Sequence, residues 1–253
     1  MSSDALWVVG DVQGFLSPLE RVLRSVNLLN ADGEWCAGSA TLAVVGDLVD
    51  RGPDGVGVIE LLMRLQGQAE AHGGQVHVLI GNHDILLLAA RRFGEPFMTT
   101  WLESGGVLHD LEALTDTQAD WLRTLPAIEV LQKVLLLHAD AIFYLEYGSS
   151  PAEVNAAFRR ILDSEDPNEH HRLLDHFTEH RAFLDPHGEA NLNTYLHTFG
   201  ATRVIHGHTP VPRMLQVPPE SVTEPFVYRD GRCVNVDPGI YLGGPGFAYR
   251  ALP

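Results

Sequence analysis

The chain has 253 residues, of which 45% are hydrophobic and 20% charged, a balance that excludes global disorder and supplies ample apolar volume for a core. Its formal net charge of -16 argues against long nucleic acid or an anionic membrane as a partner, so an anionic ligand must be drawn in locally by metal or arginine. No apolar run approaches the roughly 18 residues that cross a bilayer. Met1-Ser2-Ser3-Asp4 enters the first strand without a basic region and apolar leader, so a cytoplasmic location is expected. The two cysteines, Cys36 and Cys233, are too few and too distant to read as a disulfide framework or a thiolate metal site.

In chain order, the first apolar run, Leu6 to Val9, reads as a strand. Ser17 then reads as a helix N-cap, with Pro18 at the first helical position and Glu20 completing a capping box. Leu19, Val22, Leu23, Val26 and Leu29 recur at helical period. A polar loop over 30–39 precedes a second strand, and an amphipathic helix from Asp54 to about Ala71 stops at Gly73-Gly74. Further helices are predicted from Ile85 to Arg92 and from Thr115 to about Leu125. Residues 150–200 change to helical periodicity and read as a helical insertion or cap. Its histidines lie among charged neighbours and suit a solvated face, with His176 and His180, at i and i+4, the one pair spaced for a metal. Cys233 to Val236 and Phe247 to Arg250, joined by a Gly-rich turn, suit a hairpin closing a second sheet. Residue order alone gives an α/β protein, with the whole of 1–253 expected to form one domain.

Five β-like runs end directly on residues that bind hard metals or phosphate. Val9 leads into Gly10-Asp11-Val12-Gln13-Gly14, and Val45 into Gly46-Asp47-Leu48-Val49-Asp50-Arg51-Gly52. Ile80 meets Gly81-Asn82-His83-Asp84, Leu137 meets His138, and Ile205 meets His206-Gly207-His208-Thr209. Strand ends of an α/β sheet are where polar loops gather at a cleft. Asp11, Asp47, Asn82, His138 and His208 offer oxygen and nitrogen donors of the kind that suit Mn, Fe, Zn or Co better than calcium. With an arginine nearby, they suit a two-metal centre for phosphoryl transfer. His206 is assigned a structural hydrogen-bonding part.

These ordered motifs resemble those of the calcineurin-like metallophosphoesterases. Asp50-Arg51-Gly52 is most similar to the phosphoprotein phosphatase branch, which also contains the symmetrical diadenosine tetraphosphate hydrolases. Glu34-Trp35 and Ala71-His72-Gly73-Gly74 are similar to the bacterial Shewanella-like phosphatases. The resemblance implies a sandwich of two mixed β-sheets flanked by helices. It implies two divalent ions, with Mn expected and Fe, Zn, Co or Mg as alternatives. Asp11, Gln13 and Asp47 would hold one ion, and Asp47, Asn82, His138 and His208 the other, with Asp47 as bridge. It further implies that His83 protonates the leaving oxygen, that Asp84 fixes the His83 ring, that Arg51 grips phosphate, and that Asp50 orients Arg51. Arg181 is a candidate second phosphate-binding arginine.

Two departures stand out. Gln13 occupies a position usually held by histidine, although glutamine also occurs there in the diadenosine tetraphosphate hydrolases, and its carbonyl is a weaker donor. His138 is followed by Ala139-Asp140 where the family usually has two glycines. The function expected from the resemblance is a phosphomonoesterase acting on phosphoprotein or a small phosphate ester. A dinucleoside polyphosphate hydrolase is the alternative. A non-catalytic metal and phosphate binding module is the alternative of another class, disfavoured because His83, Asp84 and Arg51 serve chemistry rather than binding.

Overall fold

The structure is a computed structural model that describes residues 5–252. The expectation drawn from Met1 to Asp4 lies outside the described residues.

The N-terminal half alternates strand and helix: β1 (Leu6–Val9), α1 (Leu16–Ser25), β2 (Thr41–Val44), α2 (Gly55–Ala71), β3 (Gln75–Val78) and α3 (Asn82–Phe93). Three helices follow, α4 (Phe97–Glu103), α5 (Leu108–Ala113) and α6 (Asp116–Thr124), and then the hairpin of β4 (Ile128–Leu131) and β5 (Val134–Leu137). Helices α7 (Pro151–Asp163), α8 (Pro167–His176) and α9 (Gly188–Phe199) occupy the stretch read as helical. The chain closes with β6 (Arg203–His206), α10 (Val211–Leu215), β7 (Phe226–Tyr228), β8 (Cys233–Asn235) and β9 (Tyr249–Arg250).

The strands form two mixed sheets, ordered β3-β2-β1-β9 and β4-β5-β6-β8-β7. In the first, β1, β2 and β3 are parallel and β9 is antiparallel to β1. In the second, β5, β6 and β8 are parallel, and β4 and β7 flank them antiparallel. Alternation along each strand explains the two-layer core. Leu6, Val8, Ala43 and Val45 face Val134, Leu136, Ile205 and Val234 between the sheets. Val9, Leu42 and Val44 point the other way, into the helices with Leu23, Ile59 and Leu62. Central parallel strands are thus buried on both faces, which is why they read as unbroken apolar runs. The parallel strands also deliver all five motif loops to one edge of the sandwich.

Several local expectations need correction. Helix α1 starts at Leu16 with Phe15 at its N-cap, and there is no side-chain cap because phenylalanine carries no acceptor; the Phe15 amide itself donates to the Val12 carbonyl. Ser17 and Pro18 therefore lie inside the first turn. Thr115, by contrast, caps α6 in a full capping box with Gln118, and Asp54 caps α2 through the Gly57 amide. The expected C-terminal hairpin does not form. Strand β8 pairs with β7 in one sheet, and β9 crosses to pair with β1 in the other. The Gly-rich segment between them spans the two sheets rather than turning back within one. Nor do the insertion histidines all face water: His170 is 2% exposed and packs edge-on against Phe93.

Candidate metal centre

The first two motif loops are stitched together by backbone. Asp47 O accepts from the amides of Val12 and Gln13, and Gln13 O accepts from Gly52. Sharp reversals at the strand ends are needed for this, and they show as left-handed backbone at Gln13, Asp47, Asp50, Arg51 and His208. Non-glycine residues in that region store strain, which the surrounding hydrogen bonds must hold. The motif glycines are there for close approach. A Cβ at Gly81 would overlap Asp47, one at Gly207 would overlap Asp11 Oδ1, and one at Gly46 would crowd His138 Nδ1.

At the centre, Asp47, His138 and His208 place one donor atom each within 4.8 Å of one another. His138 Nδ1 lies 2.9 Å from Val45 O, so it carries the proton and leaves Nε2 as a lone pair facing the cluster. That Nε2 is 3.3 Å from Asp47 Oδ1 and 2.9 Å from Asn82 Oδ1. His208 Nδ1 is 2.9 Å from the same Asn82 oxygen and 3.2 Å from His138 Nε2. Burial first, and then His138, push the His208 imidazole down to about 3, so the ring is neutral. Asp11 lies alongside, both of its carboxylate oxygens accepting from the His208 amide.

The donor set fits a cation. Burial, and then the charges of Asp237 and Asp47, raise the Asp11 pKa well above the ordinary range. Asp237 is likewise pushed up to about 7 by burial. Gln13 lies beside Asp47, with Nε2 3.5 Å from Oδ2, and its Oε1 is buried without a hydrogen-bond partner among the described residues. A buried carbonyl oxygen left unpaired next to crowded carboxylates and two neutral imidazoles is what divalent ions would satisfy. Asp11, Gln13, Asp47, Asn82, His138 and His208 are thus brought to one place.

The residues expected around them are arranged differently from expectation in one respect. His83 is buried, with Nδ1 2.7 Å from Asp50 Oδ2, not from Asp84. Asp84 instead accepts from the amides of Gly81 and Leu48, both at 2.9 Å, and so fixes the loops of the second and third motifs. The reason is positional: Asp84 lies in the first turn of α3, where its carboxylate caps the helix. Asp50 does not orient Arg51 through a side-chain bond either; its second oxygen accepts from Trp101 Nε1 at 2.8 Å. Burial would lower the His83 pKa, but the charge of Asp47 and the hydrogen bond and charge of Asp50 together raise it.

Arg51 stacks over Tyr241, its guanidinium carbon 4.1 Å from the ring centroid, while Nε donates to Ser104 O at 3.4 Å. Arg181 and His180 line the same cavity as His208. His176 is elsewhere, stacked on Phe143 with ring centroids 5.3 Å apart, so it does not pair with His180. His206 bonds Tyr228 OH at 2.8 Å.

Asp237, Tyr241, Arg213 and Trp101 were not anticipated. Asp237 had a signal, since the β-like run Cys233 to Val236 ends on it in the pattern of the other five strand ends. Trp101 had none, being placed by the packing of α4.

Comparisons with known proteins give the family and the fold. The calcineurin-like phosphoesterase family model matches residues 5–212. A Shewanella-like protein phosphatase 2 from Arabidopsis thaliana is 30% identical over 83 residues, covering 33% of this chain and 21% of that protein. A symmetrical bis(5'-nucleosyl)-tetraphosphatase from Ralstonia nicotianae is 31% identical over 140 residues, covering 53% of this chain and 41% of that one. The matched stretches thus span less than half the length of these curated relatives. Among solved structures, a cold-active protein-tyrosine phosphatase of a psychrophilic Shewanella species superposes over 98% of this chain and 75% of its own, with TM-score 0.75 and 24% identity, a likeness of fold. With its ordered motifs gathered at one edge of a two-sheet sandwich and the family model matching β1 through β6, the chain belongs to the calcineurin-like phosphoesterase family.

Proposed function

We propose that the chain is a dinuclear metal-dependent phosphoesterase, most simply a phosphomonoesterase of the protein-phosphatase type. The carrying observation is the convergence of Asp11, Asp47, Asn82, His138 and His208 from five strand ends, beside the His83–Asp50 pair. Asp11, Gln13 and Asp47 would hold one ion and Asp47, Asn82, His138 and His208 the other, with manganese as the proposed metal. Ions in those positions supply Lewis-acid neutralisation of the phosphate and lower the pKa of water.

The chain's own residues divide the remaining work. Arg51, held over the face of Tyr241 and by Ser104, keeps its terminal nitrogens for phosphate oxygens, which its planar fork matches. His83 carries its proton on Nδ1 toward Asp50 and keeps Nε2 without a protein partner among the described residues. A raised pKa favours the imidazolium, so Nε2–H can donate to the leaving oxygen. Asp84 acts from a distance, by holding the loops.

A second reading, symmetrical hydrolysis of a dinucleoside tetraphosphate, is supported by Gln13 and by the names of several relatives. A silent binding module has no use for the buried His83–Asp50 pair. A cytoplasmic setting belongs to the proposal; among the described residues no helix is long and apolar enough to cross a membrane. The test is a panel of a phosphopeptide, 4-nitrophenyl phosphate and diadenosine tetraphosphate with Mn. Turnover of the first two that chelation abolishes supports a phosphomonoesterase. Selective cleavage of the third supports the second reading, and turnover of all three surviving exhaustive, verified metal removal rejects both.

A further inference from the structure

Beside His208 the surface opens into a cavity of about 280 Å³ whose walls include His180, Arg181, Thr209, Arg213 and Met214. Two arginines share it, and they come from unrelated parts of the chain. Arg181 follows α8 on left-handed backbone, φ 64°, pinned where Ala182 N donates to Asp140 O and the amides of Leu184 and Asp185 donate to Arg181 O. Asp140 in turn accepts from Thr209 Oγ1 at 3.2 Å, which ties this turn to the loop of His208. Arg213 projects from α10, its guanidinium carbon 5.5 Å from the Tyr241 centroid. The same ring carries Arg51 at 4.1 Å. Tyr241 is therefore a platform that sets one arginine at the metal centre and a second in the adjoining cavity.

Two partnerless arginines in one cavity stand out against the charge balance, although the side chains of Arg172 and Arg250 also lack an ion pair or hydrogen bond among the described residues. The chain has 33 Asp and Glu against 17 Lys and Arg, so carboxylate partners are plentiful. Arg24, Arg64, Arg91, Arg123, Arg160 and Arg232 each pair with one. Among the described residues, the side chains of Arg181 and Arg213 have neither an ion pair nor a hydrogen bond. Asp237 feels the charge of Arg213, but no ion pair or hydrogen bond joins the two side chains among the described residues, and one oxygen of Asp237 is buried and unpartnered.

We propose that this cavity is a second anion subsite in which Arg213 binds an anionic group of the substrate other than the scissile phosphate, beside Arg181, which stays the candidate second arginine for the scissile phosphate itself. The substrate class is then a phosphate ester or anhydride carrying a second phosphate or carboxylate close to the first. Arg51 serves the reacting phosphate and Arg213 reads its neighbour, so Arg213 determines specificity. The inference rests on the phosphoesterase reading only for the position of the first phosphate.

Calorimetric titration of the Mn-loaded full chain tests it, with orthophosphate as the one-anion probe. Imidodiphosphate presents a second phosphate and phosphonoacetate a second carboxylate. Metal content is measured in parallel, because the two-anion probes also chelate Mn. The expected result is that wild type binds at least one two-anion probe roughly tenfold or more tighter than orthophosphate, that Arg213→Gln removes most of this advantage, and that Arg213→Lys restores part of it. Loss confined to imidodiphosphate assigns the second group as phosphate; loss confined to phosphonoacetate assigns it as carboxylate. An unchanged preference in Arg213→Gln at wild-type metal content overturns the subsite, whatever the turnover. A chain that hydrolyses no phosphate ester yet shows the Arg213-dependent preference loses the hydrolase reading alone.

Discussion

His83 Nδ1 and Asp50 Oδ2 lie 2.7 Å apart in a buried pair, and the far oxygen of Asp50 is occupied by Trp101. One carboxylate thus fixes both the tautomer and the direction of the ring. If Nε2–H is the proton donor, the need for it shrinks as the leaving group becomes a better anion. His83→Ala should retain its metals and lose roughly 10²–10⁴-fold in kcat on an alkyl phosphate, with a much smaller loss on 4-nitrophenyl phosphate. Asp50→Asn should show the same trend more mildly. Equal slowing of both substrates at full metal content would make His83 a phosphate-positioning group instead.

The Asp47 carboxylate should not behave like the Gln13 amide. Asp47 faces His138 and Gln13 from opposite oxygens, so Asp47→Asn is expected to deplete both ions, whereas Gln13→Ala depletes about one. Elemental analysis of the purified variants decides the point, and equal depletion contradicts the bridging role.

Gly207 lies where any Cβ would collide with Asp11 Oδ1. Gly207→Ala should displace Asp11 from the His208 amide and lower metal content while leaving far-UV circular dichroism unchanged. A variant with wild-type metal content would show that the Asp11 loop can yield.

Asp110 offers a test of stability away from the metals. Its carboxylate accepts from the amides of Gly55 and Val56 at the start of α2, where Asp54 satisfies only Gly57. Asp110→Ala leaves two amides unpaired and should cost about 1–2 kcal/mol in urea denaturation. A loss below measurement would mean that water replaces the carboxylate.

His170 gives a pH dependence of defined sign. Burial first, and then Arg92, lower its pKa below the ordinary value of 6.5. The folded chain therefore binds fewer protons than the unfolded one, and its stabilising contribution is fully present above pH 6.5 and is lost as pH falls from there through the lower pKa of the folded state. The urea midpoint should drop between pH 7.5 and pH 5.5, and should drop less in His170→Leu. Parallel pH profiles for the two proteins would remove His170 as a source.

Much of this site was legible because its chemistry is written at strand ends. A buried parallel strand reads as an apolar run, and the residue that follows it has left the ladder and must be doing something else. Asp11, Asp47, Asn82, His138 and His208 announced themselves in that way, as Asp237 could have done. Partnerships were less legible. Asp84 is next to His83 in sequence and Asp50 is 33 residues away, and only the left-handed turn at Asp50 and the helical start at Asp84 decide which one reaches the imidazole. Strand pairing failed for a related reason: β9 has the pattern of a hairpin partner for β8, but the unfilled edge lies beside β1. The short β4 and β7 each pair with one neighbour only and carry too little alternation to stand out.

The donors come from both halves of the sandwich: Asp11, Asp47 and Asn82 follow β1, β2 and β3, while His138 and His208 follow β5 and β6. Ions held there would join two layers that otherwise meet mainly through apolar contact. Mass action then makes folding a function of free metal concentration: a site at one hundred times its Kd adds about 2.7 kcal/mol, a large share of the stability of an ordinary domain. In a metal-starved cell the chain would lose not only activity but lifetime, since the loosened apo form is what proteases recognise. Abundance of this protein would thereby track the supply of the ion it uses.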